Sequence, residues 1–351
     1  MQLTPSGIIL ATVFVSLLIL IHEGGHFLVA RLCGMRVLRF SLGFGRPLLK
    51  WERKGVIYQI AMVPLGGFVQ IAGMNPQEEV DPQDPAIYPN RPVWQRLLTI
   101  FAGPFANYLT ACILVFSYFM IFGMPTAFKP GIAMVVAESP AAKAGLKDRD
   151  VFVKLGGQTI TSADQVLPIV KASDGQPITV VVRRGTEELS FQVTPEQQKG
   201  GFRMGILPAE IATSRRHAGL GESTVEAVRY PAIQTVNMLG GLYLMVRGKI
   251  KAEVSGPVGI VKAVAQTAKA GAEELLQIIA TISVALGLFN LLPIPALDGG
   301  RLAFLGIEAI SRRKVRPNVE AAVHMVGFML LLGLLIVVTF KDIQGCFPHK
   351  P

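Results

Sequence analysis

Charge and cysteine are scarce in this chain. Of its 351 residues only 17% are Asp, Glu, Lys or Arg, against 51% that are hydrophobic, which is not the balance of a soluble enzyme of this size. The three cysteines, Cys33, Cys112 and Cys346, are too few and too scattered for a disulfide framework, and no two have zinc-ligand spacing. Acidic residues are outnumbered 24 to 34 by basic ones. That excess clusters beside apolar runs, so it reads as topology and lipid-facing charge, and no nucleic-acid partner is expected. The first apolar run has no positive n-region and no small-residue cleavage site, so it is not expected to be a cleaved signal peptide.

Long apolar runs are what the chain has instead. Four qualify as membrane spans: about 7–32, 97–122 without a single charge, 275–308 interrupted by Asp298, and 321–340 with His324 as its one ionisable group. Basic residues from Arg31 through Arg53 to Arg96 lie between the first two spans, and Arg312, Arg313, Lys314 and Arg316 between the last two. Both loops are therefore expected on the cytoplasmic side, with the two termini and the segment from about 124 to 274 on the other.

Inside the first span sits His22-Glu23-Gly24-Gly25-His26. Residues four apart share a helix face, so His22 and His26 can offer two imidazole nitrogens to one metal ion with Glu23 beside it. Two imidazoles and a carboxylate leave tetrahedral zinc an open position for water, whose proton Glu23 could take. In a soluble helix such a string is often only a polar face. Here the run from Ile8 to Ile21 is apolar apart from Thr12 and Ser16, and a buried charge costs about 2.5–3.5 kcal/mol on insertion scales, a cost normally tolerated only for function.

The third span carries Asn290-Leu291-Leu292-Pro293-Ile294-Pro295-Ala296-Leu297-Asp298-Gly299-Gly300. Two prolines and a glycine pair demand a broken helix, allowed at membrane depth only where the freed backbone is buried in protein or lines a cavity. At 1.5 Å per residue, Asp298 lies roughly 34 Å from the outer entry of its span near Leu275, and His22 roughly 21 Å inward from Ile8. Both arrive in the cytoplasmic half, which makes His22, His26 and Asp298 a reasonable ligand set. The competing reading is a structural Asp that hydrogen-bonds the broken helix. His324 reads as a satisfied interface histidine.

Between these strings, residues 36–72 are punctuated by glycine and proline among β-prone runs such as Val56–Ile60 and Gly67–Ile71. A small sheet near the membrane is expected, either a cap over the bundle or an edge strand that pairs with an extended substrate. Gly103-Pro104-Phe105-Ala106-Asn107 marks an irregularity in the second span. Asn107 reads either as a helix-to-helix hydrogen bond or as a contact to substrate backbone. From about 128 to 210 the composition is that of a soluble α+β domain, with strands at 131–137, 150–155, 178–183 and 189–193 and helices near 139–146 and 166–172. Residues 222–250 read as an apolar helix on the outer membrane surface, and Ser255-Gly256-Pro257 as a turn.

Ser139-Pro140-Ala141, Ala144-Gly145-Leu146 and the strand at Asp150 resemble a bacterial-type PDZ domain. With His22-Glu23-x-x-His26, Gly103-Pro104 and Asn107, the Ser-Gly-Pro turn and Leu297-Asp298-Gly299, nearly the whole chain resembles the site-2 protease family of intramembrane zinc metalloproteases, in its bacterial regulator-of-sigma-E-protease branch. It departs in having room for one PDZ domain rather than two, and in Ala296 where proline is frequent. The resemblance implies an α-helical polytopic membrane protein with four transmembrane segments, a membrane-associated β-sheet near the active site and an inserted α+β PDZ domain. The divisions would be 1–123 and 275–351 as two halves of the protease core, 124–210 as the PDZ domain, and 211–274 as a membrane-surface segment. It implies Zn²⁺ held by His22, His26 and Asp298, Glu23 as catalytic base, and Asn107 and Asn290 as substrate-holding residues. Expected partners are the lipid bilayer, single-span membrane proteins such as pre-trimmed anti-sigma factors, remnant signal peptides, and a peptide C-terminus at the PDZ groove. The expected location is a bacterial inner membrane, with both termini and the PDZ domain on the periplasmic side. Two other classes stay in view. A membrane metal transporter should show repeated topology and polar groups along both halves of a path. An inactive scaffold need not keep Glu23.

Overall fold

The computed structural model describes residues 5–75, 78–136, 138–198, 201–249 and 256–344. The last residue of the expected strand at 131–137, the last residue of the expected helix at 222–250, Ser255 and Cys346 lie outside them. Four helices are long and apolar enough to cross a membrane, at Pro5–Leu32, Val93–Phe122, Ala272–Leu291 and Asn318–Asp342. The chain divides into two compact units, residues 118–220 and the remainder.

In the larger unit, α1 (Pro5–Leu32) begins on a proline, whose missing N–H costs nothing in a first turn. It ends in a Schellman motif. Gly34 takes φ +70°, its N–H donates to Arg31 O at 3.0 Å, and Met35 N–H donates to Ala30 O at 2.8 Å. The chain then enters β1 (Val37–Arg53) and β2 (Val56–Ile71), antiparallel partners joined by a two-residue turn at Lys54 and Gly55. Both turn residues have positive φ, as a hairpin turn matched to strand twist requires. The pairing bends sharply, so that Ser41 faces both Gln59 and Phe68. Met35, Val37, Val56, Ile71, Ile100 and Leu305 form the apolar core that fixes this sheet against the helices.

After a short 3₁₀ turn, α2 (Val93–Phe122) runs through Pro104 without ending. In the second half of this unit come α5 (Leu220–Val246), α6 (Pro257–Ala270), α7 (Ala272–Leu291), α8 (Asp298–Ser311) and α9 (Pro317–Gln344). The expected turn at Gly256 is instead the start of α6, because Asp342 Oδ2 accepts from Gly256 N–H at 2.9 Å and Gly259 N–H at 2.8 Å and so satisfies the helix's open donors. The expected third span at 275–308 is two helices, not one. Apolar α7 alone is the candidate span; Pro293 and Pro295 cannot continue it, and Asp298 opens a new helix. Buried Arg96 pairs with Glu308 through two bonds of 3.0 and 2.6 Å, joining the start of α2 to α8.

In the smaller unit, β3 (Met124–Val135), α3 (Pro140–Ala144), β4 (Val151–Leu155), β5 (Gln158–Thr159), α4 (Val166–Ala172), β6 (Ile178–Arg184), β7 (Glu187–Val193) and β10 (Ile206–Arg216) build one sheet and its two helices. The strand order is β10-β3-β4-β6-β7, with β5 on β4; β8 (Glu196–Gln198) and β9 (Gly201–Arg203) pair separately. Ser139 Oγ caps α3 by accepting from Ala142 N–H, and Gly145 at φ +93° ends it. β3 begins seven residues before the expected start at 131, because residues 124–130 pair with the far half of β10. Ile132, Phe152, Leu155, Val166, Val180 and Met204 share the core. Asp150, 1% exposed, takes two 2.7 Å bonds from Arg184, and those hydrogen bonds raise the guanidinium's pKa further.

Candidate metal centre

Three acceptors meet at one point between α1 and α8. His22 Nε2 and His26 Nε2, one turn apart, lie 3.2 Å from each other. Asp298 Oδ2 lies 3.1 Å from the first and 3.3 Å from the second. A tetrahedral ion with bonds of about 2.0–2.2 Å has ligand atoms about 3.3–3.6 Å apart, so the triangle is close to one face of such a tetrahedron. Among the described residues it is the one cluster with metal-ligand geometry.

What lies behind each ring decides whether these nitrogens carry lone pairs. His26 Nδ1 is 2.8 Å from the carbonyl oxygen of Thr99. A carbonyl only accepts, so Nδ1 carries the proton and Nε2 of the neutral ring is left as a lone pair. His22 Nδ1 lies 3.1 Å from the side-chain amide of Asn107, which is 0% exposed. The structure sets Asn107 Nδ2 toward that nitrogen and leaves Oδ1 buried without a partner; with the amide turned over, Oδ1 accepts from Nδ1–H and Nε2 is again a lone pair. Asp298 Oδ2 is buried with no donor directed at it. Three buried acceptors facing one another without a proton between them repel unless a cation sits among them, and two imidazoles with a carboxylate suit zinc.

Glycines permit this approach. A Cβ on Gly103 would meet the His26 ring, and one on Gly25 would meet the backbone of Ala102. Small residues thus bring α1 against α2 closely enough for Thr99 and Asn107 to reach the histidines. Ser283 Oγ donates to Asn107 O at 2.8 Å and ties α7 to the same spot. Asp298 follows a turn in which Ala296 takes φ +74°; Gly299 and Gly300 lie so close to the backbone of 291–294 that neither has room for a side chain.

Glu23 is on the neighbouring face of α1. Val69 N–H donates to its carboxylate, and a Cβ on Gly67 would stand 3.4 Å from Glu23 Cγ. The bent end of β2 therefore runs beside the centre. A cleft of about 870 Å³ opens next to it, with Phe68, Val69, Ile71, Ala296, His324 and Phe328 in its wall.

The site residues inferred from sequence separate into two groups. His22, His26, Asp298 and Glu23 are brought together. Asn107 reaches the centre, but its buried amide is against His22 and does not open toward a substrate. Asn290 donates to Leu286 O of its own helix at 2.9 Å. Thr99 was missed, since a backbone carbonyl leaves no mark in the residue pattern.

The model of peptidase family M50 matches residues 10–334. A provisionally named zinc metalloprotease of Nostoc sp. is 35% identical over 96% of this chain and 95% of its own length. Relatives with the same kind of name from Clostridium perfringens and Agrobacterium fabrum are 36% and 33% identical, over 96% and 94% of this chain and 98% and 93% of their own. The crystallised PDZ domain of an SdrC-like protein from Listeria monocytogenes covers 24% of this chain and 90% of its own, at 17% identity and a TM-score of 0.22, too low to define a fold. With a family match over nearly its whole length and relatives of 33–36% identity covered almost end to end, the chain belongs to peptidase family M50, the site-2 proteases, and is a membrane zinc metalloprotease.

Proposed function

We propose that this protease hydrolyses peptide bonds in the transmembrane segments of single-span membrane proteins, or in remnant signal peptides, as a step of regulated intramembrane proteolysis. One observation carries the reading: the His22, Glu23 and His26 cluster lies within α1, a helix long and apolar enough to cross a membrane. A peptide bond that reaches it must come from within or beside the bilayer.

His22, His26 and Asp298 would hold the zinc. Bound there, zinc supplies a Lewis acid for the scissile carbonyl and lowers the pKa of water toward neutrality. Glu23 accepts a proton from the attacking water and passes it to the departing amine nitrogen as the C–N bond breaks. Thr99 and Asn107 keep both imidazoles turned so that Nε2 faces the metal. A substrate helix hides its carbonyls in its own hydrogen bonds and has to be drawn out before it can be cut. Residues 67–71 of β2, beside Glu23, are the backbone along which an extended segment pairs, and Asn290, at the end of α7, is a further contact. The residue 118–220 unit acts as a PDZ-like domain that binds a peptide C-terminus or filters substrates by size. The basic residues of the 36–96 and 312–316 loops support a cytoplasmic position for both, with that domain and both termini on the periplasmic side of a bacterial inner membrane.

The test is cleavage of a tagged single-span substrate, already trimmed on its outer side, by the purified chain in detergent. Wild type should cut; Glu23→Gln should not, while holding the same zinc. Zinc bound with no cleavage of several such substrates would count against this substrate class, and loss of zinc in Glu23→Gln would count against Glu23 acting only on protons.

A further inference from the structure

The third ligand arrives on an unusual piece of backbone. Residues 292–297 form neither helix nor strand, and Ala296, two residues before Asp298, is in the left-handed region at φ +74°. A non-glycine residue keeps that conformation only where its surroundings impose it. No side chain caps α8, so the constraint comes from elsewhere.

It comes from α9. Ala296 N–H donates to His324 Nδ1 at 2.9 Å. One turn along the same face, Gly327 lies so close to Pro295 that a Cβ there would strike its Cβ and its backbone. From below, Gly300 meets Ile294 O equally closely. The turn is thus gripped between α8 and α9, and one hydrogen bond fixes the peptide plane at Ala296. The His324 ring is itself steadied by Phe304, with ring centroids 5.7 Å apart. Because Nδ1 accepts, the ring proton is on Nε2, which is buried without a partner. A histidine that served only to satisfy itself at an interface would not leave that nitrogen unused.

We propose that His324 is a positioning residue for the metal centre: through the Ala296 N–H it holds the 292–297 turn in the shape that aims Asp298 at His22 and His26, with Gly327 allowing α9 close enough to do so. It touches neither metal nor substrate. The inference rests on the zinc reading of the site.

The experiment measures zinc affinity of the purified full chain by competition with a chromophoric chelator, together with the visible spectrum of the Co²⁺-substituted protein. Wild type, His324→Leu, His324→Asn and Gly327→Ala are compared. Outer partners of metal ligands typically contribute about 10–100-fold in affinity, so His324→Leu should weaken zinc by about that much and alter the cobalt bands. kcat should fall at saturating zinc while KM stays the same. His324→Asn, whose Oδ1 can still accept from Ala296, should keep near wild-type affinity and spectrum. Gly327→Ala, which pushes on Pro295 and leaves His324 intact, should weaken zinc as well. Wild-type affinity and cobalt spectrum in His324→Leu overturn the proposal, as does equal weakening in the Leu and Asn variants, which would reduce His324 to packing. So does a Gly327→Ala protein that binds zinc normally. Failure of wild type to bind zinc at all would instead remove the zinc reading, and it is seen before any substitution is made.

Discussion

Gly103 lies against the imidazole of His26 with no room for a methyl group between them. The ligand's ring is therefore shaped from α2 as much as from its own helix. Gly103→Ala forces either the ring or the helix contact to move, a kind of overpacking that costs about 1–3 kcal/mol. We expect Gly103→Ala to lower zinc occupancy and melting temperature together. Full occupancy at an unchanged melting temperature would show that the ring has slack.

Asn107 gives a sharper separation of roles. Its buried amide contacts His22, so Asn107→Leu removes the partner of a ligand. Zinc affinity should fall about 10–100-fold, with activity recovering as zinc is raised. If affinity is unchanged and KM rises instead, Asn107 contacts substrate and the reading of its amide here is mistaken.

Zinc held by His22, His26 and Asp298, as proposed, would join α1 to α8, so its removal should loosen both. At zinc concentrations about a thousand times Kd, binding stabilises the folded state by about 4 kcal/mol. Chelation should therefore increase hydrogen exchange in the last turns of α1 and the first turn of α8 and abolish cleavage, and added zinc should reverse both. Exchange that ignores the chelator would place the metal elsewhere.

In the smaller unit, Asp150→Ala leaves Arg184 without its two carboxylate bonds and also removes the acceptor of Lys147 N–H. Breaking a buried pair from one side costs about 3–5 kcal/mol; Arg184 is partly exposed, so about 3 kcal/mol is the expected loss. Limited proteolysis should then cut within residues 118–220, while zinc affinity stays at the wild-type value. Resistance equal to wild type would mean that water replaces the pair without loss.

Some of this was legible from residue order and some was not, for physical reasons. The i, i+4 spacing of His22 and His26 dictates a shared face, and apolar run length dictates candidate spans, since both are local properties of the chain. Asp298 was reachable by counting helical rise inward from the outer side, a count that holds through α7 and overlooks the non-helical residues 292–297. The break at Pro293 and Pro295 was visible, but the fact that α8 is a separate helix was not: its apolar residues continue those of α7, and only the non-helical stretch 292–297 separates them. α6 was read as part of a surface segment, because its start depends on Asp342, a residue far along the chain. The doubled pairing of Ser41, the Thr99 carbonyl and the Ala296 N–H were hidden altogether, since backbone groups are the same in every residue.

Arg96 and Glu308, bonded across 212 positions of sequence, are emblematic of how this centre is divided along the chain. His22 and His26 leave the ribosome early and Asp298 late. At about 5–20 residues per second, on the order of ten seconds to a minute separates them. During that interval the newborn chain holds two histidines and a glutamate but lacks Asp298, so the proposed three-residue zinc site cannot yet be complete. A chain arrested before Asp298 should bind zinc only weakly; tight binding by that fragment would contradict the division.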